Sequence, residues 1–407
     1  MPALTFCDLS LFYGPTGGGI RTYHDAKVRW FASQTRHRYV LIHPARRSGT
    51  SRPNPTVTIV GVRGLPIRAG YRWPIDIPGV HSAVRECRPD ILETGDPWYS
   101  GPTGLWLRHT GVLRGVLASF FHADPTAAYI NPWIDRGSRL TRTARRSLGS
   151  RAEQLFYRMQ RRYDVTLAAS RIAEAALRQH RIADVLRVPF GVDPMFQQIG
   201  RKRAERERPA GPMRLLYCGR LQDEKGTDLL LDAIPELLRD PAVRLTVAGT
   251  GARERDIAAV RHPRFRFAGY VSDRHQVANM YLEHDVLLAT GPRETFGLAI
   301  LEALASGLIV VGPHAGGAGE LLGQLDTPFL YAPCDRKDFV RAVREATATD
   351  PGASSRDGMR VAAKYGSWHD AIERQTSAYC DYWANWQRAL VAPAESSIAA
   401  GALDTTR

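Results

Sequence analysis

Short, wholly apolar runs recur along the chain, each followed by a longer stretch in which apolar residues return every third or fourth position. The runs read as strands buried on both faces and the stretches as helices with one buried side, so their alternation predicts parallel α/β sheets. In the first half the expected strands are 4–9, 39–43, 57–62, 90–94, 116–122, 165–169 and 185–188. A polar stretch, GRKRAERERPAGP at 200–212, interrupts the alternation, and a second series follows at 214–218, 244–248, 265–268, 286–290, 309–312 and 329–331. The fold class is therefore α/β, with two Rossmann-like, doubly wound domains. The first covers 1–195, a linker or hinge 196–212, and the second 213–367. The small, polar tail 392–407 is expected to be disordered.

The second series contains one position that breaks its own pattern. Residues 298–305 are apolar throughout except for Glu302. A carboxylate inside a buried helix must find a partner or lose its charge. A second carboxylate, Glu294, stands eight positions earlier, beyond Phe296-Gly297 and close to Gly291-Pro292, which break the helical register. Glu294 thus belongs to the loop that feeds the helix. The free N–H groups around Phe296, Gly297 and Leu298 would point at a ligand above the helix start. An anion site flanked by two hydroxyl-binding acids suits a diphosphate, a ribose diol and a hexose, the parts of a sugar nucleotide.

In open parallel sheets ligands bind beyond the carboxyl ends of strands. Three loops qualify. After the first strand, Gly17, Gly18 and Gly19 precede a helix and allow a ligand to approach the backbone. After 214–218 come Arg220 and Lys225, with Gly219 and Gly226 relieving the turn; two cations there suit a pyrophosphate, and the loop's place favours this over the alternative, surface ion pairs with Asp223 and Glu224. His122 ends the apolar strand VLASFFH, next to Asp124, where it would face a cleft or serve as a cap.

Length and composition change the picture modestly. A chain of 407 residues, 44% hydrophobic and 24% charged, has enough sequence for two globular cores. No leader and no membrane span is expected from residues 1–9 or from the apolar runs. Cys7, Cys87, Cys218, Cys334 and Cys380 are scattered, so neither a zinc site nor a disulfide frame is indicated and a cytoplasmic setting fits. The net charge of +14 raises the question of an anionic partner. It is densest at 136–162, where nine arginines accompany a single acid, Glu153. Leu140, Ala144 and Leu148 give this segment helical spacing, so it reads either as a solvated basic helix or as one that docks on an anionic membrane surface. No nucleic-acid motif accompanies the charge.

Taken together, ETFGLAILEALASG, GRLQDEKG (219–226), LTVAGTG (245–251), FAGYVSD (267–273), MYLEHDVLLATG (280–291) and VPFGVDP (188–194) stand in the order and spacing of a known family. The chain resembles the family 4 retaining glycosyltransferases of the GT-B fold, over about residues 4–386. Phe190 departs from the family's usual Asn in the P-N-G-V-D element, which is a structural turn. GSWHDAIERQTSAY looks like the start of the C-terminal helix, about 368–390, that crosses back to the first domain. The resemblance implies that Glu302 bonds the donor ribose and Glu294 the hexose hydroxyls, while Arg220 and Lys225 stabilise the leaving diphosphate. Backbone N–H groups from Phe296 through Gly297 and Leu298 to Ala299 would support phosphate and sugar, with Gly219 alongside. Gly18 and Gly19 match a glycine pair near the diphosphate, and His122 a histidine near the reacting sugar. Gly17, Asp124, Gly316 and Gly317 are acceptor-side candidates, the last two matching a second pair that faces the cleft.

The activity implied is transfer of a hexosyl group from a nucleoside-diphosphate sugar, of the GDP-mannose or UDP-glucose type, to a hydroxyl acceptor on a glycan or a lipid-linked molecule. The nucleotide sugar is a substrate, no cofactor or metal is required, and no D-x-D element stands at a suitable strand end. If the 136–162 segment docks, the enzyme would lie peripherally on the inner face of the membrane. Rivals are a sugar phosphorylase, a nucleotide-sugar epimerase, or a catalytically silent nucleotide-sugar-binding protein. The two acids could also suggest the acid/base pair of a glycoside hydrolase, but beside Arg220 and Lys225 they read better as holders of the donor. A dinucleotide-dependent dehydrogenase is disfavoured by GPTGGGIR, whose spacing is not G-x-G-x-x-G.

Overall fold

A computed structural model describes residues 2–14, 18–67, 70–122, 142–205, 208 and 210–401. The chain forms two compact units. The first comprises Met1–Phe120, Met159–Leu167 and Ile372–Arg407, the second Phe121–Arg158 and Ala168–Ala371.

The first unit contains β1 (Thr5–Leu9), β2 (Arg38–Ala45), β3 (Gly49–Asn54), β4 (Val57–Pro66), β5 (Arg72–Pro74), β6 (Ile91–Thr94), most of β7 (Val116–Phe121) and most of β8 (Val165–Ala168). Its sheet runs β3-β4-β2-β1-β6-β7-β8, with β5 paired to β4. The strands from β4 to β7 are mutually parallel. Every residue of β1, β6 and β7 is buried, as expected of strands covered on both faces. Each strand expected from the apolar runs is present within a few residues of its bounds. β3 and β5 are additions that the hydrophobic pattern does not announce, because Gly49–Asn54 is exposed and polar and Arg72–Pro74 is short. Both pair antiparallel with β4.

The terminal helix, Trp368–Gly401, contacts the first unit's sheet from Ile372 onward. Gln375 Nε2 and Tyr379 Oη donate to Glu93 Oε2 at 2.9 and 2.7 Å. Of the tail 392–407 expected to be disordered, 392–401 continue this helix and 402–407 lie outside the described residues.

The second unit holds β9 (Val185–Arg187) and a wholly parallel sheet built from β10 (Met213–Cys218), β11 (Val243–Ala248), β12 (Phe265–Gly269), β13 (Val286–Leu288), β14 (Ile309–Pro313) and β15 (Phe329–Tyr331). The order is β12-β11-β10-β13-β14-β15. Helices Thr227–Leu237 and Arg336–Ala348 cover one face, where Leu230, Ile234, Phe339 and Val343 meet Leu215, Val247 and Val311 in a single core.

The stretch expected to be a linker is instead largely structured. Pro194–Ala204 is a helix, started by proline and by the Asp193 carboxylate, which accepts from the Met195 N–H. Its apolar side chains Phe196 and Ile199 are buried, and it packs on helices Arg274–Glu283, Leu298–Ala305 and Pro351–Ala363. Arg203, one of the cations that made this stretch look solvated, donates to the carbonyls of Ser306, Tyr281, Leu282 and His284. Arginine's fork can serve several carbonyls at once, which explains how a basic sequence is absorbed into a packed helix.

Candidate functional site

The order of the second sheet reverses between β10 and β13, neighbours from which the chain leaves in opposite directions. Such a switch point opens a crevice at the carboxyl ends of both strands. The loop after β10 carries Gly219, Arg220 and Lys225, and the loop after β13 carries Glu294. The structure joins them: Lys225 Nζ lies 2.5 Å from Glu294 Oε1. The backbone repeats the connection, with Thr290 Oγ1 donating to the Lys225 carbonyl at 2.6 Å. Gly226 makes the approach feasible. Its φ is +68°, and a Cβ there would stand 2.0 Å from the Thr290 carbonyl oxygen. Gly226→Ala is therefore expected to cost about 1–3 kcal/mol of stability from the left-handed backbone alone, and more from the clash; urea unfolding of the variant measures it.

Arg220 is more exposed and pairs with Glu224 at 2.7 Å. That is half of the ion-pair alternative, because Asp223 pairs with Arg253 instead. Tyr217 Oη donates to the Arg220 carbonyl and fixes the start of the loop.

Helix Leu298–Ala305 begins at Gly297, whose φ of +93° turns the chain and which offers no capping side chain. Its first N–H groups at Leu298 and Ala299 are thus left to other acceptors, as an anion site needs. Phe296 is buried. Glu302 is 4% exposed, and its partner is Arg274, whose Nη2 donates to Oε1 at 2.8 Å. Burial pushes the Glu302 carboxyl up and the Arg274 charge pulls it back; the net direction is upward. The Arg274 guanidinium rests 5.0 Å above the Phe196 ring, which orients it. Sequence reasoning missed Arg274. It opens a helix behind Asp273 as any solvated arginine might, and only Glu302's need for a counter-ion could have singled it out.

His122 and the acidic loop are also brought together. Thr295 Oγ1 donates to the His122 carbonyl at 2.5 Å, and Ser170 Oγ donates to the Thr295 carbonyl at 2.5 Å. The His122 ring stacks on Phe190 with centroids 6.3 Å apart, and Phe190 meets Phe296 edge-on at 5.2 Å. The residue that departs from the family pattern therefore links the histidine to the start of the Glu302 helix. Phe190 also meets Trp368, 5.2 Å away.

Gly316 and Gly317 lie against the acidic loop. The Gly317 N–H donates to the Glu294 carbonyl at 2.6 Å, and a Cβ at Gly317 would lie 2.5 Å from the Phe296 backbone. They support the acidic loop, and their smallness serves that contact. In the first unit Gly18 and Gly19 open helix Gly18–Ser33 after β1. Gly17 and Asp124 lie outside the described residues, as does 136–141 of the basic segment. The rest of that segment is helix Arg142–Gln160, with Phe156 and Tyr157 buried and Leu148 and Leu155 exposed.

Known proteins resemble this chain in sequence and in fold. Residues 212–349, which carry β10 to β15, match the family described as Glycosyl transferases group 1. The chain is 31% identical over 319 residues to a GDP-mannose-dependent alpha-(1-6)-phosphatidylinositol dimannoside mannosyltransferase of Mycobacterium tuberculosis, covering 76% of this chain and 80% of the relative. It is 26% identical over 339 residues to a GDP-mannose-dependent alpha-mannosyltransferase of Corynebacterium glutamicum, covering 80% and 72%. Among solved structures, sucrose-phosphate synthase from Thermosynechococcus elongatus superposes with a TM-score of 0.72 at 18% identity, over 94% of this chain and all of that one. Enzymes of this kind use the nucleotide sugar as a substrate and generally need no metal. The chain belongs to the group 1 (family 4) glycosyltransferases, retaining hexosyltransferases of the GT-B fold that take their sugar from a nucleotide donor.

Proposed function

We propose that the donor is GDP-mannose and that the acceptor is a hydroxyl on a lipid-linked glycan of the phosphatidylinositol mannoside type. The observation that carries this reading is the relatedness to two enzymes whose names specify GDP-mannose, one of which also specifies a phosphatidylinositol dimannoside. Transfer would take place in the cytoplasm, on the inner face of the membrane. Among the described residues no helix is long and apolar enough to cross a bilayer, so any lipid acceptor would have to be met from outside it.

In this reading the linked loops divide the donor between them. Lys225 and Arg220 stabilise the charge that grows on the departing diphosphate, helped by the free N–H groups at the start of helix Leu298–Ala305. Glu294, held by Lys225, accepts from the hexose hydroxyls. Glu302, whose Oε1 is fixed by Arg274, takes the ribose diol with its second oxygen. His122 stands by the reacting sugar, positioned through Thr295. The departing phosphate accepts the acceptor's proton on the same face, which gives retention without a protein nucleophile.

A thermal-shift panel of GDP-mannose, GDP, UDP-glucose and UDP tests the donor. A ligand at a hundred times its dissociation constant stabilises by about 2.7 kcal/mol, so GDP-mannose should raise the midpoint while UDP-glucose leaves it in place. Glu302→Ala should abolish the rise. A shift with UDP-glucose alone would overturn the donor assignment, and an undiminished GDP-mannose shift in Glu302→Ala would overturn the ribose role.

A further inference from the structure

The outer part of β4 and the short β5 form a two-stranded ribbon with an exposed apolar face. Leu65 stands opposite Trp73 in the antiparallel register. The Ile75 N–H donates to the Arg63 carbonyl and the Ile67 N–H to the Tyr71 carbonyl, so those pairs also lie opposite one another. Residues directly opposite share a face and alternate residues return to it. One face therefore carries Arg63, Leu65 and Ile67 in one row and Ile75, Trp73 and Tyr71 in the other. Leu65 is 55% exposed, Ile67 42%, Trp73 42% and Ile75 43%. The opposite face is the packed one: Pro74 is buried and Arg72 donates to the Gly64 carbonyl. Exposure of four large apolar side chains on one ribbon is thus a consequence of register, and burying the other face does not require it.

The ribbon has a firm base. The Trp73 ring meets Tyr99 at 6.1 Å, and the Tyr71 ring meets Phe12 edge-on at 5.2 Å. Its rim is cationic. Arg63 is on the face itself, and the exposed Arg46 and Arg47 precede Ser48, whose hydroxyl accepts from the Arg63 N–H at 3.0 Å. The neighbouring carboxylate, Asp76, is engaged by the Ser48 hydroxyl and by the Gly79 N–H at the start of helix Ile77–Cys87. Apolar side chains rimmed by arginine, with tryptophan among them, are the chemistry of an anionic lipid surface. A second copy of the chain fits less well, because a two-fold contact would set Arg63, Arg46 and Arg47 against their own counterparts.

We propose that this ribbon face, formed by Leu65, Ile67, Trp73 and Ile75 with Arg63 at its edge, docks the enzyme on anionic phospholipid membranes. Its residues are not those of the arginine-rich segment 136–162 that the sequence alone pointed to, and the proposal stands whichever acceptor is used.

Cosedimentation of the full chain with vesicles tests it, using phosphatidylcholine alone or mixed with phosphatidylglycerol, at low and high salt. The wild type should bind the mixed vesicles and be released by salt. Leu65→Ser combined with Ile67→Ser should lower the bound fraction by about tenfold or more, with the thermal midpoint and the GDP shift unchanged, since the ring contacts that hold the ribbon's base, Trp73 on Tyr99 and Tyr71 on Phe12, are left intact. Equal binding by wild type and double variant would overturn the proposal in favour of another basic surface. So would a wild type that ignores vesicles, including one that pairs with a second copy through this face, which sedimentation velocity would show as a dimer in the wild type and a monomer in the double variant. Because no acceptor is present, failure here leaves the donor and acceptor assignments to their own assay.

Discussion

Lys225→Ala is expected to lower kcat for donor turnover by about 10²- to 10³-fold, the range found when one preorganised donor to a developing oxyanion is removed. The lysine sits at the switch point between β10 and β13 and is tied there twice, through its ammonium to Glu294 and through its carbonyl to Thr290. Its place is thus set before any ligand arrives, which is the condition for an electrostatic contribution to the barrier. Arg220→Ala should cost less, since Arg220 is about half exposed and shares its charge with Glu224. The discriminating measurement is the split between constants. Loss of charge stabilisation in the transition state lowers kcat and kcat/KM together, whereas loss of uniform binding raises KM with kcat intact. Steady-state kinetics with GDP-mannose and a lipid acceptor, with donor hydrolysis followed in parallel, would show which holds. A Lys225→Ala enzyme with unchanged kcat and a raised KM would make Lys225 a holder of the donor and move the burden of charge to Arg220 and the helix start.

Much of this site was legible because it is local in sequence. Glu302 betrays itself within its own helix, and Glu294, Gly297 and the first turn follow within eight residues. Arg220, Lys225 and Gly226 share one loop. What escaped is what depends on contacts across the fold. Arg274 meets Glu302 from 28 positions away, and nothing in its own neighbourhood sets it apart. Phe190 looked like a neutral change in a turn, yet its ring lies between those of His122 and Phe296. Gly316 and Gly317 were read as acceptor-side candidates, and their closeness to the backbone of the acidic loop could not be foreseen, because a glycine does not name what packs against it. The strands of both sheets could be read because burial on both faces leaves continuous apolar runs. β3 and β5 could not, since edge strands that face water need no such run, and β5 helps form the face proposed to dock on lipid. The linker was misjudged for a related reason. Charge density suggested solvent at Arg203, where the guanidinium instead finds backbone carbonyls.

A further group of buried charges is in the first unit, and it carries the largest expected effect on stability. Lys27→Met should destabilise the chain by about 3–5 kcal/mol, the cost of leaving buried charge without its partner. Lys27 Nζ lies 2.9 and 2.8 Å from the two Asp8 oxygens and 3.0 Å from Glu93 Oε2, and all three side chains are buried. Glu93 also accepts from Tyr23, Gln375 and Tyr379, so the same carboxylate holds the terminal helix. Burial alone would push the Asp8 carboxyl up, but Lys27 and His24 beside it bring it down to about 2. Glu93 goes the other way: burial and the Asp8 charge raise it more than Lys27 lowers it. The two linkages have opposite signs. The Asp8 contribution is present above the ordinary carboxylate range and is lost as pH falls toward 2, whereas the Glu93 contribution is present at low pH and is lost as pH rises through its elevated value. Without Lys27 both carboxyls lose their counter-charge and both move up. The deficit of Lys27→Met should therefore be largest near neutral pH and shrink as pH falls toward about 5, where a proton can replace the missing ammonium. Adding Glu93→Gln should recover part of the loss at neutral pH, because it removes one of the two facing charges while keeping an acceptor for Tyr379. Urea unfolding of the three chains at neutral and mildly acidic pH measures this, and a deficit that ignores both pH and Glu93→Gln would mean that the lysine contributes through its ammonium over the Tyr23 and Tyr39 rings.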